Sequence, residues 1–524
     1  MLVAFSVAPS GDGRSGDSVH DAVAAAVTVV RQSGLAHRTT SMFTEIEGPD
    51  WDSVMDVVKR ATEAVMPYGS RVSLVLKADI RPGYSGELDA KIERLEEAID
   101  ASADGEATGR EHGRVTPSNL SRGAAMRALL SLAVGSFGIG MTEFVIMGLL
   151  PEIAQDLLPD VWAASSEQAI GQSGLLISLY ALGVVIGAPT IAGAVARFPR
   201  HRVLLALAIA LTLGNALTVV LPGFGLVGAS RLLAGLPHGA YFGIGALVAA
   251  DVLGPGKRAQ GVAFILTGLT VANVVGVPLG TYLGQQWGWR TAFLVVTAVF
   301  AVAAVCIALF VPPHPGNPGR TLRSELGVFR VPQVWLTLGM GAIGFGGFFA
   351  MYSYIAPLVT EVAGAPQWVV PVTLVLVGVG MTVGNLAGGR LADHDLRGTL
   401  IWSLAALAAV LVLLAVLAFS VVPLIITAML VGALASVLSP AIQTRLMDVA
   451  GDNQSIAAAL NHSALNIGNS LGAFLGGAAI SLGLGYTAPE WVGAVLTALG
   501  LAIALIAYRV PSRTPVAAGT PRAH

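Results

Sequence analysis

Three residues sit where their chemistry is expensive. Glu143 lies inside the apolar run GIGMTEFVIMGLLPEI (138–153), with no basic residue between Arg127 and Arg197. A carboxylate in hydrocarbon costs about 3 kcal/mol on insertion scales. Arg231 and His238 are seven residues apart in RLLAGLPHGAYFGIGALVAAD (231–251), so on a helix they share one face. A buried acid, a guanidinium and an imidazole form a set able to hold and release a proton. His462 is a second buried histidine, read as packing. Asn273 and Asn469 are polar groups in apolar runs, as suited to gluing helices as to touching a solute. Tyr180, Phe345, Phe348, Tyr352 and Tyr354 can stack on a planar molecule or simply pack.

What positions these residues is a membrane body. The 524-residue chain is 54% hydrophobic and 12% charged, with mean hydropathy +0.72. Half of its 62 acidic and basic residues fall in the first 116 positions, so a polar front end joins an apolar body. The start, MLVAFSVAPSGDGRSGD, lacks a basic stretch and turns polar after Pro9, unlike a signal peptide. Apolar runs predict twelve spans near 126–150, 170–192, 203–221, 224–250, 260–283, 291–311, 333–358, 369–389, 399–418, 422–444, 456–482 and 490–508. One alternate set of loops holds eleven basic residues, among them Arg197, Arg200, Arg202, Lys257, Arg390, Arg397 and Arg445, and the other holds Arg290 alone. The basic set is expected to face the cytoplasm, and both termini with it. Span one then runs outward and span four inward, which puts Glu143 and Arg231 at one depth, placed to pair.

The body repeats. GSFGIG (135–140) returns as GAIGFG (341–346), and Pro151 as Pro357. Asn273, Gly276 and Gly280 return as Asn469, Gly472 and Gly476. A parallel 6+6 repeat implies two six-helix bundles, 126–311 and 333–510, with a cavity between them and an inter-bundle loop at 312–332. Glu143 maps onto Phe349, so the second half has no equivalent acid. This body resembles the major facilitator superfamily of the drug:proton antiporter type. GMTEFVIMGLLPEIAQDL, RLLAGLPHGAYFGIGALVAAD and TVANVVGVPLG look like its sugar- and nucleoside-efflux branch. The resemblance implies a cytoplasmic gate motif at Gly389, Asp393 and Arg397. The first-half copy carries Arg197 where Asp is usual.

The front end, 1–100, reads as βαββαβ followed by a helix, a ferredoxin-like α+β domain. A Gly-rich linker (101–125) follows it, and a polar tail (511–524) ends the chain. Pro9 and Gly11, then Met42, Thr44, Glu47 and Gly48, then Arg71, Val72, Lys77, Asp79 and Arg81 resemble the small thiamine-binding ferredoxin-like family. The resemblance implies a thiamine-like ligand held by Thr44, Glu47, Lys77, Asp79 and Arg81. Glu45 and Glu47 share one strand face, and a cationic ligand needs such carboxylates.

There is no phosphate-binding Gly loop with Lys, no G-x-S-x-G with triad partners and no His/Glu metal spacing; Cys306 stands alone. The sequence therefore predicts no enzyme, no cofactor and no nucleic-acid partner. It predicts a multi-pass plasma-membrane, proton-coupled antiporter that exports small organic molecules. Its expected partners are substrate, protons, lipid and a thiamine-like ligand, with self-association through the front domain. Two rival readings are uptake of thiamine or a precursor, and a membrane-bound thiamine sensor with little transport.

Overall fold

The structure is a computed structural model that describes residues 1–10, 19–40, 43–80, 86–94, 120–195, 198–253, 258–313, 331–450 and 454–510. Arg81, Arg197 and most of the expected linker, inter-bundle loop and tail lie outside the described residues. The chain divides into two units, Met1–Arg114 and Val115–His524.

In the first unit β1 (Leu2–Ser10), β2 (Ala36–Thr39), β3 (Thr44–Glu47) and β4 (Arg71–Asp79) form an antiparallel sheet of order β2-β3-β1-β4. That is the expected ferredoxin-like arrangement. Alternation sends Val3, Phe5, Val7 and Ile46 to one face, against α1 (Val19–Gln32) and α2 (Trp51–Val65). Helix α2 starts where the Asp50 side chain accepts from the Ser53 N–H. It buries Val54, Val57, Val58, Ala61 and Val65, one stripe at helical spacing. A short helix, α3, covers 87–94.

The second unit holds twelve long helices among the described residues. Eleven are long and apolar enough to cross a membrane. Span one is Arg122–Leu157, span two Ser166–Val195, span three Arg200–Val220 and span four Phe224–Leu253. Span five is Arg258–Val271 continued through Val277–Trp287, and span six is Trp289–Phe310. Spans seven to ten are Pro332–Ser353, Val369–His394, Leu396–Leu417 and Val421–Ala450. Span eleven is Gln454–Ser481, and span twelve is Ala488–Ala507. Span one begins at Ser121, whose side chain caps Ala124 N–H, so helix invades the last residues of the expected linker.

The repeat is visible in how backbones meet. A Cβ added to Gly183 or Gly187 of span two would strike the Leu232 or Leu236 carbonyl of span four at 2.2 and 1.9 Å. Gly380 and Gly384 of span eight meet the Met429 and Ala433 carbonyls of span ten at 2.3 and 2.0 Å. Each of these residues lies 197 positions after its counterpart, so both bundles are built on one helix crossing. Only glycine permits so close an approach. Pro151 and Pro357 both sit where their helices break: the first follows a 3-10 stretch, Val145–Leu149, and the second precedes a π turn, Leu358–Val362. A further π turn, Ala272–Gly276, interrupts span five just before Pro278, which cannot donate to the preceding turn.

Candidate functional site

Glu143 is 7% exposed, near the end of the regular helix of span one. Its Oε1 accepts a hydrogen bond from Asn469 Nδ2 of span eleven at 3.0 Å. The acid of the first bundle is thus held by the second. Arg231 is fully buried, but it does not form the expected ion pair with Glu143: no such pair lies within 4 Å among the described residues. Its Nη1 and Nη2 donate instead to the hydroxyl and carbonyl oxygens of Thr142, at 3.0 and 2.7 Å. Thr142 Oγ1 donates in turn to Asn215 Oδ1 of span three. The guanidinium lies over the rings of Tyr180 at 4.2 Å and Phe293 at 5.1 Å, an attraction that strengthens without water. Equal depth was correctly read; the guanidinium meets the neighbouring residue because consecutive residues point about 100° apart on a helix.

From Arg231 the network continues along span four. The Tyr180 hydroxyl and His238 Nδ1 are 3.1 Å apart. The His238 ring meets Phe242 at 5.4 Å, and Phe242 stacks on His462 of span eleven at 5.4 Å with 10° between planes. Tyr180 is therefore packed in the interior of the first bundle. Phe345, Phe348 and Tyr352 pack together with Phe349, and Phe144 meets Phe349 and Tyr352 across the bundles at 6.3 and 5.8 Å.

The bundles also touch at two helix pairs. Ser178 of span two and Ser470 of span eleven donate to each other's carbonyls at 3.1 and 3.2 Å. Beyond them, Gly171 and Gly174 press on Gly477, Ser481 and Tyr354, whose hydroxyl bonds the Ala473 carbonyl at 2.6 Å. In the other pair, Gly378 of span eight meets the Asn273 carbonyl of span five, 2.5 Å from an added Cβ. At the end carrying the 158–165 connection, Gln367 donates to Glu152, a tie between span one and the start of span eight. At the opposite end Arg200 bonds Asp251 at 2.6 Å within the first bundle. There Arg397 and Arg445 both lie over the Tyr508 ring, at 5.4 and 4.8 Å. Of the gate motif, Asp393 is exposed and makes no ion pair among the described residues, and Asp395 caps span nine.

In the first unit, Glu45, Glu47, Lys77 and Asp79 share the sheet face opposite α1 and α2, set by the pairs Ala4↔Glu45, Leu2↔Glu47, Ala4↔Lys77 and Leu2↔Asp79. Helix α3 lies on this face. Glu47, expected to face a ligand, gives both carboxylate oxygens to the N–H groups of Glu87 and Leu88, at 2.9 and 3.0 Å. Burial alone raises the Glu47 carboxyl, but the N–H groups of Glu87, Leu88 and Gly86 outweigh it and hold it below the usual carboxylate value of 4.5. Asp79 pairs with Lys91, and Arg38 with Asp89, both reaching α3. Lys77 is exposed, and Thr44 is buried on the opposite face, under the helices.

The Major Facilitator Superfamily pattern matches residues 132–422 and 374–523. This chain belongs to the major facilitator superfamily. It is 37% identical over 386 residues to the inner membrane transport protein YdhP of Escherichia coli K12, covering 74% of this chain and 97% of that one. It is 30% identical over 402 residues to a chloramphenicol resistance protein of Streptomyces lividans, covering 75% and 98%. The crystal structure of a D-xylose-proton symporter shares the fold, with TM-score 0.61 at 16% identity over 74% of this chain and 98% of that chain. Residues 3–96 match the Thiamine-binding protein family. The protein is a multi-pass membrane transporter of this superfamily, carrying a thiamine-binding-type domain ahead of its first span.

Within this transporter the sequence missed several members of the polar network: Thr142, Asn215, Ser178 and Ser470. It also missed Glu490, fully buried in the first turn of span twelve, with neither carboxylate oxygen bonded among the described residues. The signal was present, since Glu490 precedes an apolar run. Its place at a span boundary made it look like an ordinary acidic helix start. Asn273 Oδ1, Asn469 Oδ1, Arg231 Nε and the Tyr352 hydroxyl are buried without a protein hydrogen-bond partner. Such groups suit water or a polar solute.

Proposed function

We propose that this major facilitator protein is a proton-coupled transporter that exports small organic molecules, with Glu143 as the proton site. The observation that carries the reading is the Glu143–Asn469 hydrogen bond: the carboxylate belongs to one bundle and its partner to the other. Movement of the bundles past each other changes what surrounds the acid, and with it the acid's hold on a proton. Arg231, committed to Thr142, stays as a fixed positive charge nearby, and His238 sits behind it. The unbonded amide oxygens of Asn273 and Asn469 and the Tyr352 hydroxyl supply contacts for a solute, with Phe345 and Phe348 supporting the aromatic wall. The chain sits in the plasma membrane with both termini in the cytoplasm, where Asp393 and Arg397 flank the inner mouth.

The test is transport in proteoliposomes. Chloramphenicol is the first solute to try, because a relative bears that name. Glu143→Gln, a fixed mimic of the protonated acid, is expected to lose pH-gradient-driven transport while keeping counterflow. Full gradient-driven transport by that variant would move the proton site elsewhere, His238 first.

The front domain favours a second reading of the cargo. Its family match supports binding of thiamine or a related pyrimidine on the sheet face of Glu45 and Lys77, and α3 must lift if Glu47 is to take part. Titration of the whole chain with thiamine and hydroxymethylpyrimidine is expected to give a low-micromolar Kd, about -8 kcal/mol. Absence of saturation with either would remove the ligand assignment. Flux of the bound molecule would separate a carrier from a sensor.

A further inference from the structure

Two of the contacts that span eleven makes with the first bundle are made by Asn469 and His462. Asn469 reaches Glu143, and His462, seven residues earlier, stacks on Phe242. Seven residues are two turns, so the contacts lie roughly 10 Å apart along the helix. Inside the first bundle the same two points are joined by an unbroken chain. Glu143 follows Thr142, Thr142 binds Arg231, Arg231 covers Tyr180, Tyr180 bonds His238, and His238 meets Phe242. Arg231, His238 and Phe242 recur at seven and four residues on span four, a single stripe. Beyond Asn469, towards the 158–165 end, span eleven is held by the Ser178–Ser470 pair and by glycine contacts too close to slide. In the opposite direction Phe242–His462 is a ring contact with no hydrogen bond between the partners.

We propose that span eleven carries the protonation state of Glu143 to the inter-bundle contact at Phe242–His462, with Asn469 as the residue that reads the acid. This deepens the proton-site reading of Glu143 and rests on it. The Asn469 amide donates to an ionised carboxylate more strongly than to a neutral one, because charge-assisted hydrogen bonds are about twice as strong. Loading a proton loosens span eleven from span one at this point. The serine pair and the glycines hold the far half, so the freed half pivots about them and draws His462 off Phe242. The titratable and charged groups facing Glu143 are few. They are Arg231 on span four, Tyr180 on span two and Tyr352 on span seven, with Asn469 bonded to it from span eleven; His238 and His462 lie farther along the network, beyond Tyr180. Asn469 is therefore a positioning residue that acts through Glu143, and Phe242 with His462 forms the contact it controls.

The experiment needs no transported solute. In a Cys306→Ser background, spin labels at Arg202→Cys and His394→Cys, in the two bundles at the Phe242–His462 end, report the distance across that end by pulsed electron paramagnetic resonance. The full-length chain in lipid nanodiscs is measured from pH 5.5 to 8.5. The expected result is a lengthening on acidification, absent in Asn469→Leu and in Glu143→Gln, the latter staying long at every pH. Phe242→Ala should lengthen the distance at high pH and leave little further change. Asn469→Leu should have no added effect in the Glu143→Gln background. A normal pH response in Asn469→Leu, or in Asn469→Ser should the first variant not fold, overturns the role of Asn469 while leaving the proton site standing. An unmodified chain with no pH response overturns both.

Discussion

The glycine contact beyond the serine pair gives a prediction whose size follows from the structure. Alanine at Gly171 would put a methyl 2.5 Å from the Gly477 carbonyl oxygen and 2.3 Å from Ser481 Oγ. The serine can rotate away, but the carbonyl is fixed in helix. Overpacking of this kind costs about 1–3 kcal/mol. The cost falls only on a conformation in which spans two and eleven touch here. If these backbones part when this end of the transporter opens, the cost becomes a shift in population, roughly 5- to 150-fold at 1.4 kcal/mol per decade. Spin labels at Ala164→Cys and Leu484→Cys, both exposed at this end, should show the longer-distance population grow in Gly171→Ala. Gly225→Ala is the control, because nothing lies within 4 Å of its added methyl and it shares the gain in helix propensity. An unchanged distance distribution in a folded Gly171→Ala chain would refute the claim that this contact belongs to one state.

Arg231→Ala should destabilise the transporter by about 3 kcal/mol, since two charge-assisted hydrogen bonds and two ring contacts outweigh relief of a buried charge. Thermal melting in detergent, with Arg231→Lys intermediate, checks this. Glu47→Gln should speed amide exchange across 87–94 by roughly tenfold, the loss of one charged hydrogen bond to a helix start. Because the folded Glu47 value is held below 4.5, its contribution is fully present above that pH and is lost as the pH falls through the lower folded value. The difference in exchange between Glu47→Gln and the unmodified chain should therefore shrink as the pH is taken down below 4.5. A reporter fused after Arg127 or at the C-terminus should read cytoplasmic, and one inserted near Asp160 external; the reverse would overturn the charge argument.

Depth in the membrane was legible in the sequence, and rotation about each helix was not. Counting residues placed Glu143 level with Arg231, whereas the helix breaks beside Pro151 and Pro357 were not read from the sequence. Which polar group Arg231 meets depends on how spans one and four turn against each other, and that is settled by packing with Tyr180 and Phe293. The cross-bundle partner Asn469 was read as a solute contact or helix glue because no local signal ties two residues 326 positions apart. In the front domain the ferredoxin-like arrangement followed from the βαββαβ order of elements, and the shared face of Glu45 and Glu47 from period-two alternation. That Glu47 serves α3 had one available clue. Gly86 precedes that helix at φ 75° and offers no side-chain acceptor, so the exposed N–H groups need one from elsewhere.

Span eleven also bears on how the chain is made. Asn461, His462, Asn466, Asn469 and Ser470 run through it, and among the described residues it stands outside the eleven helices long and apolar enough to cross a membrane. A nascent segment with so many amide and imidazole groups partitions poorly into lipid by itself. Earlier-made helices offer Glu143, Ser178 and Phe242 to meet these groups, which lowers the cost of its entry. The groups that meet at the bundle interface are thus also the ones that favour the penultimate helix leaving the translocon beside the first bundle.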